Sequence, residues 1–338
     1  MKTAQNFCLR NYNTFGIDAK CKQYFEYEND EELFEYIREH RNNLNDNFFI
    51  LGGGSNILFT KDFDGTIIHP ATKGKKIVYE NSDNIFVEAQ AGENWDEFVA
   101  WTIENKAYGL ENLSYIPGTV GASAVQNIGA YGAEARNFIH RVKFLHLDSG
   151  DIQYITNEAC CFGYRESIFK HLLKGKAIIL SVVYKLEKTQ HINRTYVDVE
   201  NYLAENKIEN PSSLDIRNAI IAIRRKKLPE PAEIGSAGSF FKNPVVDFET
   251  FAALQAKFPD TKFFPAGNSY KLAAGWLIDQ CGLKGFVHNG AGVHSKQALI
   301  LINTGNATGN DVLELSKIVR EKVMEKFGVN LEPEAIIL

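Results

Sequence analysis

No run of apolar residues in this chain approaches the ~20 that a bilayer-spanning helix needs, so membrane insertion is not expected. The opening residues, MKTAQNFCLR, carry one lysine and then polar residues where a signal peptide would have an apolar stretch, and export is not expected either. Cysteine is sparse and odd in number: Cys8, Cys21, Cys160, Cys161 and Cys281 show neither Cys-x-x-Cys nor Cys/His ligand spacing. Reduced thiols in a cytoplasmic protein fit that pattern, and no metal centre is expected. His288 and His294 are six residues apart with no further ligand near them, and they read as structural. Basic charge is not in excess, 37 lysines and arginines standing against 42 acidic residues, a net of -5, so the chain has no electrostatic footprint of a nucleic-acid binder. There are no repeats, no low-complexity tracts, and no glycine pattern of the dinucleotide-fingerprint kind. Gly74-Lys75-Lys76 lacks the spacing and the Ser/Thr of a phosphate-binding lysine loop.

What is present is enough apolar material, 44% of 338 residues, for two or three packed domains. Asn29 with Glu32 reads as a capping box before an amphipathic helix carrying Leu33, Phe34 and Ile37. Short strands follow at FFIL, TIIH, KIVY and IFVEA, and Trp95, Phe98, Val99 and Thr102 mark one face of a second helix. RVKFLHL, the turn Asp148-Ser149-Gly150 and DIQYI predict a hairpin, and AIILSVVYKL is apolar enough to lie inside a sheet. Ser212 and Asp215 start a helix that stops near Leu228, because Pro229 and Pro231 follow. Beyond that boundary the pattern predicts helices near 247–257 and 269–281, the strand ALILIN, a helix from Asp311 to Phe327 ended by Gly328, and a terminal strand that returns to an earlier sheet. The class is α+β, without strict βαβ alternation.

Five segments have the composition of chemistry. Gly52-Gly53-Gly54-Ser55-Asn56 follows an apolar strand, and glycine runs let backbone amides turn toward an anion such as a pyrophosphate. A lone cluster of this kind is more often a structural turn. Pro117 to Gly132 is richer: Gly118, Thr119, Gly121, Ala122, Ser123, Gln126, Asn127, Gly129, Ala130 and Tyr131 form a small-sided stretch on which main chain can pack against an extended ligand. Two such loops in one half suggest a dinucleotide such as FAD. Arg165, in FGYRESIF, is an arginine in an aromatic and small setting, suited either to clamp a carboxylate through two parallel hydrogen bonds or to sit on the surface. Ser239 lies in a glycine turn before Phe240 and Phe241; Gly-x-Ser-x-Gly is not matched, which disfavours a hydrolase nucleophile, and a plain turn is the commoner role. Glu332 and Glu334 flank Pro333 near the end, two carboxylates that otherwise read as a charged strand edge.

LGGGSN, GLENLSYIPGTVGASAVQNIGAYG, FGYRESIF, the Arg224 to Pro229 segment, GSAGSFFKNP, KLAAGWLIDQCGLKG and LEPE stand in the order seen in the UDP-N-acetylenolpyruvoylglucosamine reductase family, and the chain resembles its type I members over essentially its whole length. The resemblance implies a two-part FAD-binding region of the vanillyl-alcohol-oxidase type plus a separate α+β substrate-binding domain. On that plan residues 1–70 form the first FAD-binding subdomain, joined by a C-terminal strand at 328–338. Residues 71–228 form the second, and 229–327 the substrate domain. It further implies non-covalent FAD, NADPH as hydride donor, and reduction of an enolpyruvyl ether to UDP-N-acetylmuramate for peptidoglycan precursors. One pocket serving both reactants would account for the missing nicotinamide fingerprint.

Carried over by motif, Ser239 would be the proton donor, with Arg165 and Glu334 completing the catalytic set, while Tyr196, Arg224, Lys227, Asn243, Lys271 and Gln297 match substrate contacts. In some relatives an arginine stands where this chain has Ile336, and a tyrosine where it has Phe264; both departures bear on contacts to the substrate diphosphate. The rival readings are an oxygen-using FAD oxidase of the same superfamily and a non-catalytic sensor of flavin or UDP-sugar.

Overall fold

The computed structural model describes residues 1–40, 47–230 and 233–338; Pro231 lies outside them. The chain divides into two compact units. Unit 1 comprises Met1–Phe7, Cys21–Gly53 and Asp64–Lys226, and unit 2 comprises Cys8–Lys20, Gly54–Phe63 and Lys227–Leu338.

Unit 1 is built on two sheets. The first orders strands Lys2–Cys8, Lys20–Tyr27, Phe63–Pro70 and Phe48–Ile50, the last pair parallel. Helix α1 (Asp30–His40) packs on it, its Leu33, Tyr36 and Ile37 joining Phe25, Tyr27 and Ile68 in one apolar cluster. Asn29 Oδ1 accepts from the Glu32 amide as a cap should, but the Glu32 carboxylate reaches one residue further back than a capping box, to the Glu28 amide.

The second sheet is antiparallel, in the order Ile152–Thr156, Ile139–His146, Ala177–Glu187, Asn84–Gln90, Lys75–Glu80. The continuous apolar run of 177–187 takes its centre. Ile178 and Leu180 enter the cluster with α1, and Ile179, Val182 and Tyr184 face the larger core on the other side. That core is completed by α2 (Trp95–Glu104), through Trp95, Phe98 and Val99, and by α3 (Val120–Gln126), a short helix inside the glycine-rich stretch that periodicity does not reveal. Small residues are what let α3 lie there: a Cβ on Gly121 would come within 2.9 Å of Ala91 Cβ. The unit ends with α4 (Val197–Glu205) and α5 (Ser213–Lys227), which share a small core of Val199, Leu203, Ile216, Ala219, Ile220 and Ile223. Ser212 and Asp215 cap α5 reciprocally.

Unit 2 carries a four-stranded sheet, ordered Gly235–Ser239, Ile300–Asn303, Ala291–Val293 and Val287–His288, and a three-stranded one, ordered Val245–Val246, Ser269–Leu272 and Phe263–Ala266. The helix expected over 269–281 is therefore two elements. A left-handed Gly267 turns the chain so that Ser269–Leu272 pairs back on Phe263–Ala266, Tyr270 stacks 4.0 Å from the Phe251 ring, and the helix begins only at Ala274. The helices are α6 (Phe248–Lys257), capped by Asp247, then α7 (Ala274–Gln280) and α8 (Gly309–Phe327). Helix α8 starts before Asp311 because Thr308 is its cap and Asp311 the reciprocating third residue; Gly328, at φ 68, ends it. The last strand, Ile336–Ile337, pairs in parallel with Ile57–Leu58. No helix among the described residues is long and apolar enough to cross a membrane.

Candidate active site

Within unit 1 the two glycine loops meet. A Cβ on Gly52 would stand 2.9 Å from Thr119 Oγ1, and one on Gly53 would stand 2.9 Å from Gly118 Cα. At Gly53 main chain runs against main chain, and at Gly52 main chain runs against the Thr119 side chain, so neither point has room for a Cβ without movement. Neither 51–56 nor 117–132 contains a charged residue, so the paired loops present amides and small side chains rather than competing carboxylates. In unit 2, Gly54 is left-handed, at φ 62, and any Cβ there would overlap the Tyr12 carbonyl oxygen. The paired loops of unit 1, glycine-rich and without carboxylates, suit a flat, extended, pyrophosphate-bearing group such as FAD.

Some polar residues of the second loop face the protein. Ser123 is fully buried, with its hydroxyl on Val120 O and 2.7 Å from the Tyr184 hydroxyl. Asn127 caps α3 in the left-handed region at φ 44, and its buried amide group donates to Gly163 O and Glu134 while its oxygen accepts from the Arg136 amide. Asn127 is therefore the brace between this loop and the segment bearing Arg165.

That segment is a tight turn, Gly163 and Glu166 exchanging backbone bonds of 2.9 and 3.2 Å. Arg165 occupies its third position at φ 60, where glycine or asparagine is favoured. Its guanidinium donates to Gly129 O at 3.0 Å and Asn127 O at 3.5 Å, carbonyls of the glycine-rich loop. A side-chain-bearing residue held in this conformation is a physical reason, beside any motif, to assign it a role.

Unit 1 also gathers Tyr131, Tyr196 and Arg224. The two tyrosine rings meet edge to face at 5.1 Å, with Tyr196 partly exposed just ahead of α4. Burial raises the Tyr131 pKa, and the neighbouring Arg224 cation opposes the shift. Burial likewise pulls Arg224 below the usual arginine value, while Tyr131 and Asp96 hold it up. Arg224 Nε donates to Tyr115 O at 2.9 Å, and Asp96 accepts the Tyr115 amide at 2.5 Å while forming a two-bond pair with Arg217. Tyr115, also left-handed at φ 60, is thus pinned on both sides of its α-carbon immediately before the glycine-rich loop. Sequence reasoning passed over Asp96, Arg217 and the buried Asn112, which donates to the carbonyls of Tyr131 and Asn193; their signal was polarity inside apolar segments.

Unit 2 brings Ser239 and Glu334 together. Gly238, at φ 66, bulges the strand before Ser239, which pairs with Ile300. The LEPE segment then runs beside the next residues: the Glu334 amide donates to Phe240 O at 2.8 Å and the Lys242 amide to Glu332 O at 2.9 Å. Phe240 and Phe241, both fully buried, anchor this ladder. Asn56 Nδ2 donates to Glu334 O at 3.2 Å, so the last residue of the first glycine loop fixes the glutamate's backbone. Glu332 is exposed, with its carboxylate 3.8 Å from Lys242, whereas Glu334 is half-buried.

Asn243 and Gln297 meet at the first turn of α7. Asn243 Oδ1 accepts from the Ala274 amide at 2.9 Å, and a Cβ on Gly275 would lie 2.8 Å from Gln297 Oε1, so the Gln297 amide rests close on this turn. Lys271, on the strand paired with Val245 and Phe264, holds its ammonium 5.9 Å from the Phe264 ring centre. Lys227 closes α5 and falls in unit 2. Among the described residues no group of three or more His, Cys, Asp or Glu side chains is placed to hold a metal ion.

Residues 230–338 match the family described as UDP-N-acetylenolpyruvoylglucosamine reductase, C-terminal domain, and residues 22–156 match an FAD binding domain. The chain is 48% identical to the UDP-N-acetylenolpyruvoylglucosamine reductase of Flavobacterium johnsoniae over 100% of both chains. It is 45% identical to that of Chromobacterium violaceum over 98% of this chain and 97% of the other. Among solved structures it is similar in fold to the UDP-N-acetylenolpyruvylglucosamine reductase of Thermus caldophilus, with a TM-score of 0.67 and 24% identity over 99% of this chain and 98% of that one.

Proposed function

Because the chain belongs to the UDP-N-acetylenolpyruvoylglucosamine reductase family, we propose that it reduces the enolpyruvyl ether of UDP-N-acetylenolpyruvoylglucosamine to UDP-N-acetylmuramate, as a cytoplasmic step in peptidoglycan precursor synthesis. When bound, FAD would supply the hydride chemistry between NADPH and the methylene carbon of the substrate. Gly52 to Asn56 and Pro117 to Tyr131 would hold it without a covalent bond. The proposed division of labour gives FAD to 1–70 with 328–338 and to 71–228, and substrate to 229–327. The observation that supports the reading is the backbone ladder in which the Glu334 amide donates to the carbonyl of Phe240, the residue after Ser239, so that the serine- and glutamate-bearing segments run together beside the buried Phe240 and Phe241.

The residues divide the work by charge. Hydride arriving at the methylene carbon leaves negative charge on the adjacent carbon, spread into the substrate carboxylate as an enediolate. Arg165 offsets that charge with two parallel N–H bonds to the carboxylate oxygens. The Ser239 hydroxyl gives its proton to the adjacent carbon, completing the saturated lactyl ether, and recovers a proton from solvent. Glu334 contributes as a protonated or hydrogen-bonded carboxyl on the enediolate side, since a bare carboxylate there would repel the charge. Tyr196, Arg224, Lys227, Asn243, Lys271 and Gln297 bind the nucleotide-linked remainder.

The test is Ser239→Ala, read as two half-reactions. Flavin reduction by NADPH needs no acid at the substrate carbon and should proceed at the wild-type rate. Reoxidation by the enolpyruvyl substrate should slow by ~100- to 10,000-fold, the range of a lost general acid. A product heavier by two hydrogens, formed by Ser239→Ala at the wild-type rate, contradicts the serine assignment.

A further inference from the structure

Arg165 is held in a conformation that its own side chain disfavours, and one neighbour bonds to the strained residue's own carbonyl. Lys170 Nζ donates to Arg165 O at 2.7 Å, from a side chain that is only 20% exposed. The same ammonium lies 3.9 Å from a Glu166 oxygen, while the other Glu166 oxygen is taken by His171 at 2.8 Å. Lys170 is itself fixed: it ends a short helical turn whose Phe169 is buried in the core and whose leading Ser167, fully buried, donates to Val125 O at 2.7 Å. A left-handed non-glycine residue stands above its relaxed state and persists only where its surroundings enforce it. If the Arg165 peptide relaxes, its guanidinium leaves the Gly129 and Asn127 carbonyls.

We propose that Lys170 is a positioning residue for the reduction of the enolpyruvyl substrate: its bond to the Arg165 carbonyl keeps Arg165 left-handed and its guanidinium aimed for the substrate carboxylate. The inference rests on the reading of Arg165 given above. It separates two functions of Lys170 that the geometry superimposes, the carbonyl bond and the ion pair with Glu166.

Four holoenzymes test it: Lys170→Met, Lys170→Arg, Glu166→Gln and Arg165→Lys. Each is assayed for FAD content, thermal midpoint, calorimetric affinity for the enolpyruvyl sugar nucleotide, and reoxidation by that nucleotide after dithionite reduction. Lys170→Met should keep its FAD and bind substrate more weakly. Its reoxidation should slow about 10- to 100-fold, the scale of a small misplacement of a reacting group. Lys170→Arg, which keeps donors for the carbonyl, should recover most of the rate, and Glu166→Gln should match wild type. Normal reoxidation in Lys170→Met beside slow reoxidation in Arg165→Lys overturns the positioning role and leaves the Arg165 assignment standing. Normal rates in both overturn the Arg165 assignment and the inference with it. A Lys170→Met protein that loses FAD and thermal stability in step with its rate, or a Glu166→Gln protein equally slow, shows a structural ion pair and also overturns the inference.

Discussion

The two units reach the left-handed region of backbone space by different means. Among the described residues, unit 1 places side-chain-bearing residues there, Tyr115, Asn127, Tyr131 and Arg165 among them, beside glycines such as Gly132 and Gly150, whereas in unit 2 Asn289 is the one such residue and glycines such as Gly16, Gly54, Gly238 and Gly267 take the role. Glycine adopts this conformation without steric cost; the others must be held by named bonds: Asp96 and Arg224 on Tyr115, Lys170 on Arg165. Unit 1 therefore stores its precision in side-chain networks around the glycine-rich loop, and unit 2 in a backbone ladder around Ser239 and Glu334.

The contrast makes glycine substitution in unit 2 the largest expected disturbance of stability. Gly54→Ala adds a left-handed alanine, about 1–2 kcal/mol, and a clash with the Tyr12 carbonyl that must be relieved by backbone movement. A loss of about 3 kcal/mol or more in urea unfolding is expected. A loss under about 1 kcal/mol would show that unit 2 does not depend on its glycine geometry.

In unit 1 the corresponding disturbance is to a bond rather than to space. Asp96→Asn removes the charge that pairs with Arg217 and weakens the acceptor for the Tyr115 amide; both groups keep some solvent contact, 26% and 12% exposed, so the cost should be about 2 kcal/mol rather than that of a fully buried pair. FAD should also be retained less tightly, measured by loss of flavin on dilution, because the Tyr115 turn leads directly into the glycine-rich loop. Unchanged FAD retention would separate that turn from the cofactor.

The smallest effect concerns His294. Burial, then the nearby Lys296 cation, lowers its pKa, and Nδ1 has no hydrogen-bond partner among the described residues. The unfolded imidazole takes its proton near the ordinary ~6.5, before the folded one does, so this stability contribution is present above that pH and is lost as pH falls below it. His294→Gln should flatten the fall in thermal midpoint as pH drops below ~6.5. A steeper fall in the variant would contradict the sign.

The same contrast explains what was legible in the sequence. Strong periodicity or long apolar runs were read correctly: the central strand at 177–187, the buried face of α2, and the hairpin through Asp148-Ser149-Gly150. Helix α3 was hidden because alanine, glycine and serine carry almost no hydrophobic period, and they are there for close packing on Ala91. The 269–281 region was read as one helix because an alternating Tyr270-Lys271-Leu272 beside a helix gives no sign of where pairing stops. In the candidate site, residue types and motif order marked Arg165, Ser239 and Glu334, but the strain at Arg165 and its tie to Lys170 were not legible, since residue identity does not specify φ for an arginine.

The most direct test of the account is anaerobic. Purified protein carrying FAD is mixed with NADPH until the yellow absorbance bleaches, and UDP-N-acetylenolpyruvoylglucosamine is then added with oxygen excluded. The account predicts that the absorbance returns at once, in step with formation of UDP-N-acetylmuramate. Flavin that stays bleached until oxygen is admitted would identify an oxidase, and flavin that NADPH never bleaches would leave a binding protein; either result contradicts the reductase.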